Sequence, residues 1–275
     1  MISTGGELTI LESVDSTNNY AMAMVRSGLA KHGDGFFAMA QVSGKGQRGK
    51  TWITERGTNV IITLVMQPYG LHMLQQFHLS VAIALAVHDF FSHYAGEETY
   101  IKWPNDIYWR DRKAGGILIE SIVRSSPGDS QNHQVQSLDP GDEGPTTNDS
   151  RLQTDPWKWA IIGMGININQ TAFPEHIRNA VSLKQITGKD WEVVELAKEL
   201  CSYVQNRYEQ LSAGKNLLIE YNDRLFKKGQ TVKFKKDSRV FDAVVKEVNN
   251  MGQLIVFTAL EEHFSFGEVE WIIKD

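Results

Sequence analysis

Short apolar runs alternate along this chain with longer segments whose apolar residues recur at helical spacing. Residues 8–11 form the first short run and predict a strand. Asp15, Ser16 and Thr17 follow, any of which can cap the helix predicted over residues 20–26, and Gly28 ends it. Residues 35–42 read as a buried strand, and residues 58–66, rich in β-branched side chains, as another. Residues 75–94 carry Phe77, Val81, Ala84, Leu85 and His88 on or near one helical face. Residues 100–103 predict a strand that stops at Pro104, and residues 116–123 and 157–168 predict two more. Between those two lies a stretch, 124–156, of mostly Ser, Gly, Pro, Asp, Asn and Gln with little to bury; a mobile insertion in a hairpin-like connection is expected.

Asp190 is the predicted cap of a helix running to about Leu211, with Val193, Leu196, Ala197, Leu200, Val204 and Tyr208 facing inward. Cys201 falls inside that pattern, as a buried structural thiol. A second helix is predicted over residues 216–226. The character changes at Gly229. Residues 231–234, 240–248 and 254–258 predict short strands, residues 249–252 a turn and residues 264–272 a last strand. The pattern is α+β, with a main domain over residues 1–228 and a small all-β module, of SH3-like size, over residues 229–275.

Composition narrows the function classes. The 275 residues are 41% hydrophobic, enough for one large core or for a large domain and a small one. A formal net charge of -5 argues against general nucleic-acid binding but leaves room for a local basic pocket. The single cysteine excludes an internal disulfide and a cysteine zinc cluster, and is compatible with a reducing compartment. No basic start leads into a long apolar run, and no segment has the apolar length of a membrane span. A soluble, cytoplasmic protein without membrane contact is expected.

Four segments carry candidate chemistry. Gly44-Lys45-Gly46-Gln47-Arg48-Gly49 matches G-x-G-x-x-G, yet Thr51-Trp52-Ile53 and a strand follow, and no acidic residue stands at the ribose spacing. A dinucleotide fold needs a helix there to hold the pyrophosphate, so that reading fails. The P-loop fails as well, lacking its glycine gap and Lys-Ser/Thr ending. What remains are glycines that let backbone approach a ligand and three cations, Lys45, Arg48 and Lys50, that attract phosphate or carboxylate. Taken alone, this is equally a flexible solvated turn. Lys102-Trp103-Pro104-Asn105-Asp106 ends a strand in an amide and a carboxylate, which is also ordinary turn chemistry. Arg112-Lys113-Ala114-Gly115-Gly116-Ile117-Leu118 runs two cations into two glycines, or is a hairpin with basic edge residues. Gly163-Met164-Gly165-Ile166-Asn167 ends a strand in small residues and an amide that reads an adenine edge or satisfies a bend.

In this order, together with Asp15-Ser16-Thr17-Asn18, Gln41 and Trp52, the segments resemble the biotin–protein ligases over about residues 8–169, and loosely through the C-terminal module. Lipoate–protein ligases share the superfamily but are not expected to carry the Lys102–Asp106 and Arg112–Leu118 pair of motifs. The resemblance implies a mixed sheet flanked by helices, like the class II aminoacyl-tRNA synthetase core, followed by an SH3-like barrel. It implies that biotin and ATP, with Mg²⁺, form biotinyl-5′-adenylate, and that biotin passes to one lysine of a biotin carboxyl carrier protein, such as that of acetyl-CoA carboxylase. Lys113, Asp106 and Arg48 are then the catalytic residues, with Asp106 holding Mg²⁺ or orienting the amine. Ser16, Thr17, Asn18, Gln41, Gly44, Lys45, Gly46, Lys113, Gly116 and Leu118 bind biotin. Arg48, Lys50, Trp52, Asn105, Ile166 and Asn167 hold the nucleotide. The loop departs from the usual Gly-Arg-Gly-Arg wording, with Lys45 and Gln47 at the arginine positions, so Arg48 and Lys50 are expected to carry more of the phosphate contact. The first such motif begins at Asp15, so no DNA-binding helix-turn-helix is expected; a monomer or homodimer is. The alternatives are a lipoate- or octanoate-type ligase or transferase, and a biotin-binding protein without turnover.

Overall fold

The apolar runs before Gly229 pair into one eight-stranded sheet, and those after it into a separate five-stranded sheet. The computed structural model describes residues 6–72, 75–123, 135–137, 157–177 and 179–273. The first sheet consists of β1 (Leu8–Leu11), β2 (Gly35–Ala38), β3 (Val60–Met66), β4 (Thr99–Lys102), β5 (Asp106–Trp109), β6 (Arg112–Val123), β7 (Val135–Ser137) and β8 (Trp157–Ile166). Its order is β1-β2-β3-β8-β6-β5-β4, with β7 paired to β6. Only β1 and β2 run parallel; every other pair is antiparallel, so the sheet is mixed.

Strand alternation gives the sheet two faces with different cover. On one face Ile62, Leu64, Met66, Ile162 and Met164 join a large core with helices α2 (Gln76–Ala95) and α4 (Val193–Ser212). On the other, Phe36, Val65, Ile122 and Ile161 meet only α1 (Thr17–Arg26), through Ala21 and Met22. One short helix cannot cover the whole of that second face. The part it leaves bare becomes the cleft described below.

The second sheet consists of β9 (Thr231–Lys236), β10 (Arg239–Val248), β11 (Leu254–Phe257), β12 (Glu261–Phe264) and β13 (Glu270–Ile272), in the order β12-β11-β10-β9-β13, antiparallel throughout. It is tied to the first by polar and apolar contacts. The Trp103 indole N–H donates to the Gly252 carbonyl at 2.9 Å, and the Asn222 amide exchanges two bonds with Val248 at 2.7 and 2.9 Å. Trp271 packs on Phe226 and Phe234, so the two hydrophobic cores are continuous.

Several elements differ from the sequence expectation. β2 ends at Ala38, and Val42 is exposed in the loop beyond it. The turn after Pro104 leads straight into a strand, β5, that the turn chemistry concealed. Helix α2 is buried on most sides rather than one, because α4 covers its far side. Asp190 does not cap α4; Glu192 does, and Asp190 pairs with Lys184 at 2.6 Å. A short helix, α3 (Leu183–Thr187), was not expected, while α5 (Leu218–Asp223) is shorter than the predicted 216–226. The last expected strand is two, β12 and β13, joined by a loop that proves important. Apart from β7, the 124–156 segment lies outside the described residues. Cys201 is half-buried in α4, where burial pushes its thiol up to about 11, so it stays a protonated thiol. Among the described residues no helix is long and apolar enough to cross a membrane.

The face under α2 makes a direct prediction. Phe90 is fully buried there, and Phe90→Ala leaves a cavity that neighbours cannot fill. Chemical denaturation should show a loss of about 3–5 kcal/mol.

Candidate active site

Three glycines shape the uncovered face of the sheet. Strand register sets Ile61, Gly165, Gly116, Asp106 and Lys102 opposite one another in a single row across β3, β8, β6, β5 and β4. The next row holds Thr63, Gly163 and Leu118. With no side chains at Gly163, Gly165 and Gly116, the middle of the sheet is bare backbone, and neighbouring side chains lie down onto it. A Cβ on Gly163 would stand 2.2 Å from Asn18 Oδ1, and one on Gly165 2.5 Å from the Trp52 ring. Above this floor is a cleft of about 820 Å³.

One end of the cleft is a buried polar chain on the first turn of α1. The Gln41 side-chain carbonyl accepts from the Thr17 backbone N–H at 2.7 Å and its hydroxyl at 3.1 Å. The Thr63 hydroxyl lies 2.7 Å from Asn18 Oδ1 and 2.8 Å from Thr17 Oγ1; its one proton serves either. The Asn18 amide donates to Glu120 Oε2 at 2.8 Å, and Lys45 Nζ stands 3.6 Å from Glu120 Oε1. Every side chain of the chain but Lys45 and Gln41 is buried, and each has a partner. Rigid donors and acceptors at this end suit a compact polar ring.

The other end is cationic. Arg48, Lys50, Lys102 and Lys113 line the cleft against Asp106 and Glu270. Lys113 reaches this face because of a bulge. Between Ile107–Gly115 and Tyr108–Lys113, β6 carries one extra residue, Ala114. Without it, Lys113 would share the core-facing parity of Gly115 and Ile117. With it, Lys113 Nζ comes within 2.6 Å of Asp106 Oδ1 and 5.6 Å of the Trp52 ring centre. Burial pushes the Lys102 ammonium down to about 8; Asp106 opposes that shift, and Lys113 and Lys50 add to it.

Two loops from different sheets meet over the cleft. In the glycine-rich loop the Gly46 N–H donates to the Lys50 carbonyl at 2.7 Å and the Trp52 N–H to the Gly44 carbonyl at 2.8 Å, folding it back on itself. Arg48 takes the left-handed conformation at φ 53°, and its guanidinium donates to the Gly267 carbonyl, in the β12–β13 loop, at 3.3 Å. Phe266, Val269 and Trp271 line the cleft beside it. The Trp52 and Trp271 indole N–H groups are buried without a protein acceptor.

Most residues singled out in the sequence gather here: Ser16, Thr17, Asn18, Gln41, Lys45, Gly46, Arg48, Lys50, Trp52, Asn105, Asp106, Lys113, Gly116, Leu118 and Asn167 all line the cleft. Two do not. Ile166 is fully buried, with its side chain in the core; strand alternation turns it away from the face Gly165 occupies, which corrects its expected place against a nucleotide. Gly44 lines a smaller adjoining opening with Ser43 and Glu120, where the Trp52 carbonyl crowds it. Two others are already engaged. The Asn105 amide donates to the Ile117 carbonyl, and the Asn167 amide to the Lys113 and Val181 carbonyls at 3.3 and 3.2 Å. Sequence reasoning missed Glu120 and Thr63. The period-2 pattern would have found Glu120, two residues beyond Leu118 on the same face. Nothing in the sequence pointed to residues 266–271.

The glycine floor is testable. Gly165→Ala should push the Trp52 ring off the sheet, so the Trp52 indole N–H resonance should move while the backbone amide resonances of β9 to β12 hold. An unmoved Trp52 resonance contradicts the seat described.

Comparison with known proteins agrees with this geometry. Residues 10–130 match the model of the Biotin/lipoate A/B protein ligase family. The chain is 33% identical over 121 residues to the Escherichia coli bifunctional ligase/repressor BirA, covering 42% of this chain and 35% of that protein. It is 38% identical over 122 residues to the biotin--[acetyl-CoA-carboxylase] ligase of Paracoccus denitrificans, covering 43% and 48%. These matches thus span between a third and a half of the relatives' length. Among solved structures, the biotin protein ligase of Aquifex aeolicus, in complex with biotin and ATP, superposes with a TM-score of 0.71 at 20% identity, over 98% of this chain and 99% of that one. Over residues 10–130 the chain is thus similar to the Biotin/lipoate A/B protein ligase family, and over nearly its whole length it shares the fold of a biotin protein ligase.

Proposed function

We propose that this protein is a biotin–protein ligase: it joins biotin to ATP as biotinyl-5′-adenylate, releases pyrophosphate, and transfers biotin to a lysine of a biotin carboxyl carrier protein. One observation carries the reading. A bare strip of sheet joins a closed polar chain, Gln41, Thr17, Thr63, Asn18 and Glu120, to four cations, Arg48, Lys50, Lys102 and Lys113. A ureido ring matches the donors and acceptors of the first end, an aliphatic tail fits the glycine floor beside Leu118, and phosphates match the cations. A dithiolane or an alkyl chain offers no donors or acceptors to match that end, which disfavours lipoate or octanoate. A binding protein without turnover has no need of the cations.

On this reading Lys113 acts on both reacting groups. The biotin carboxylate must approach an anionic α-phosphate, and an ammonium between them offsets the repulsion. Asp106 holds Lys113 in that position. Arg48 and Lys50 steady the phosphates as the glycine-rich loop closes, keeping water from the activated ester. The Trp52 ring and its unpaired N–H hold the nucleotide end. Asn105 and Asn167 shape the backbone around Lys113 and Ile117, since their amides are already committed there. The donors present do not make a resident metal site: among the described residues no three His, Cys, Asp or Glu side chains cluster, and Asp106 is bound to Lys113. Mg²⁺ would then come with the nucleotide, where its charge would offset that of the phosphates. We further assign residues 1–228 to a class II aminoacyl-tRNA synthetase-like catalytic domain and residues 229–275 to an SH3-like barrel.

Incubation with ATP, labelled biotin and a carrier domain tests this. Carrier labelling that needs both biotin and ATP is expected; labelling with lipoate instead of biotin would overturn the substrate. Lys113→Ala should lower pyrophosphate release by about 100-fold or more, the scale of a lost transition-state donor. A mild effect would remove Lys113 from its role. Arg48→Ala should slow adenylate formation, and an unchanged rate would shift the phosphate contact to Lys50.

A further inference from the structure

Glu120 is a carboxylate in an apolar place. It follows Leu118 on the cleft face of β6, is 6% exposed, and stands directly across from Ile161 on β8, with Ile122 next on the same face under α1. A charge taken from water there is stable only when it is paired and hydrogen-bonded. Oε2 accepts from the Asn18 amide at 2.8 Å, and Lys45 Nζ stands 3.6 Å from Oε1. One partner belongs to the polar end of the cleft and the other to the glycine-rich loop, so this one side chain joins the two.

The Asn18 contact has a direction. A carboxylate paired with an ammonium accepts and does not donate, so it takes the NH2 of Asn18 and not its oxygen. Asn18 Oδ1 is then left against the Thr63 hydroxyl at 2.7 Å and over the bare backbone of Gly163, where a Cβ would stand 2.2 Å from it. The Thr63 hydroxyl can donate or accept, so it does not decide the direction; Glu120 does. Gln41 is fixed the opposite way: its oxygen takes the Thr17 N–H at 2.7 Å, which leaves its NH2 over. The polar end thus presents an acceptor at Asn18 and a donor at Gln41, the complement of a ring that carries both N–H and C=O groups.

The Lys45 contact holds a strap. Lys45, Gly46, Lys50 and Thr51 line both the main cleft and an adjoining opening of about 550 Å³, so the glycine-rich loop is a thin partition between the two. Lys45 pairs with Thr51 at the base of the strap and ties that base to Glu120. Arg48 ties the tip to the Gly267 carbonyl.

We propose that Glu120 is the positioning residue of the ring seat: one carboxylate oxygen sets the direction of the Asn18 amide, and the other holds the glycine-rich strap beside it through Lys45. The identity of the ring, a ureido ring, rests on the ligase reading above; the tie between strap and sheet does not. Lys45 on this account serves the ring end of the cleft, and the phosphates are left to the other cations.

Two variants test both arms. Glu120→Gln keeps the shape but offers Lys45 no charge and can turn a donor toward Asn18. Lys45→Met keeps the stem and removes the charge; it sits on a half-exposed loop, so it carries the test even if the buried variant folds poorly. Trypsin cleavage of the full chain after Arg48 and Lys50, followed by mass spectrometry, reads the strap. Each variant should be cut about 5-fold faster than wild type. The double variant should be cut no faster than Glu120→Gln, since the two changes break one contact. Pyrophosphate exchange into ATP reads the seat. Glu120→Gln should raise the biotin KM by about 10-fold, with kcat changed by less than about 3-fold. Lys45→Met should raise the same KM, and should add nothing to Glu120→Gln. Unchanged cleavage in both variants overturns the proposal. So do effects that multiply in the double variant, or a rise in the ATP KM alone, which would make Lys45 a phosphate contact. No biotin-dependent exchange by the wild-type protein would instead sink the ligase reading, while cleavage would still decide the tie.

Discussion

The rest of this structure depends on close contact between side chains and bare sheet. Gly116 and Gly165 face each other across β6 and β8, with Gly163 in the adjoining row. A methyl group at Gly163 or Gly165 would collide with Asn18 or Trp52. Because those glycines are present, one residue from α1 and one from the loop after the glycine-rich segment can rest on the sheet, at opposite ends of one strip. The strip fixes how far apart the polar end and the cationic end are. The Ala114 bulge adds a second constraint, because it alone turns Lys113 onto the same face. Both constraints are backbone features, and both bear on the chemistry only through what they permit neighbouring side chains to do.

The partial cover on this face follows from the same economy of elements. Helices α2 and α4 bury one face of the sheet completely, giving stability. The other face has one ten-residue helix, so a large area is free for ligand. Its remaining cover comes from far along the chain. Arg48 and Gly267 are in contact although 219 residues separate them, and Trp271 overlies Lys102. The small sheet is therefore part of the cleft's wall rather than an appendage.

Much of this was legible in the sequence, where signal and physics coincide. Strands β1, β3, β6 and β8 stood out because apolar, β-branched runs are bounded by turn residues. Lys113, Asp106, Thr17, Asn18 and Arg48 were found because their motifs combine unusual residue types in a fixed order. What escaped falls into three kinds. Ile166 and Glu120 depend on which face a residue occupies, which alternation decides once register is known. Asn105 and Asn167 were found at the right place, but only coordinates show that their amides already hold backbone. Phe266, Gly267 and Trp271 sit in an ordinary β-module, and no local pattern tells that its loop reaches a site formed more than a hundred residues earlier.

The central claim is that the strip from Thr17 and Asn18 to Trp52 holds one extended acyl adenylate. A crystal structure of the protein grown with biotin and ATP tests it most directly. The account predicts biotinyl-adenylate with its ureido ring beside Thr17, Asn18 and Gln41, its tail over Gly116 and Gly163, its phosphate near Lys113 and its nucleotide beside Trp52. An adenylate lying in the reverse direction, or bound away from the three glycines, would contradict it.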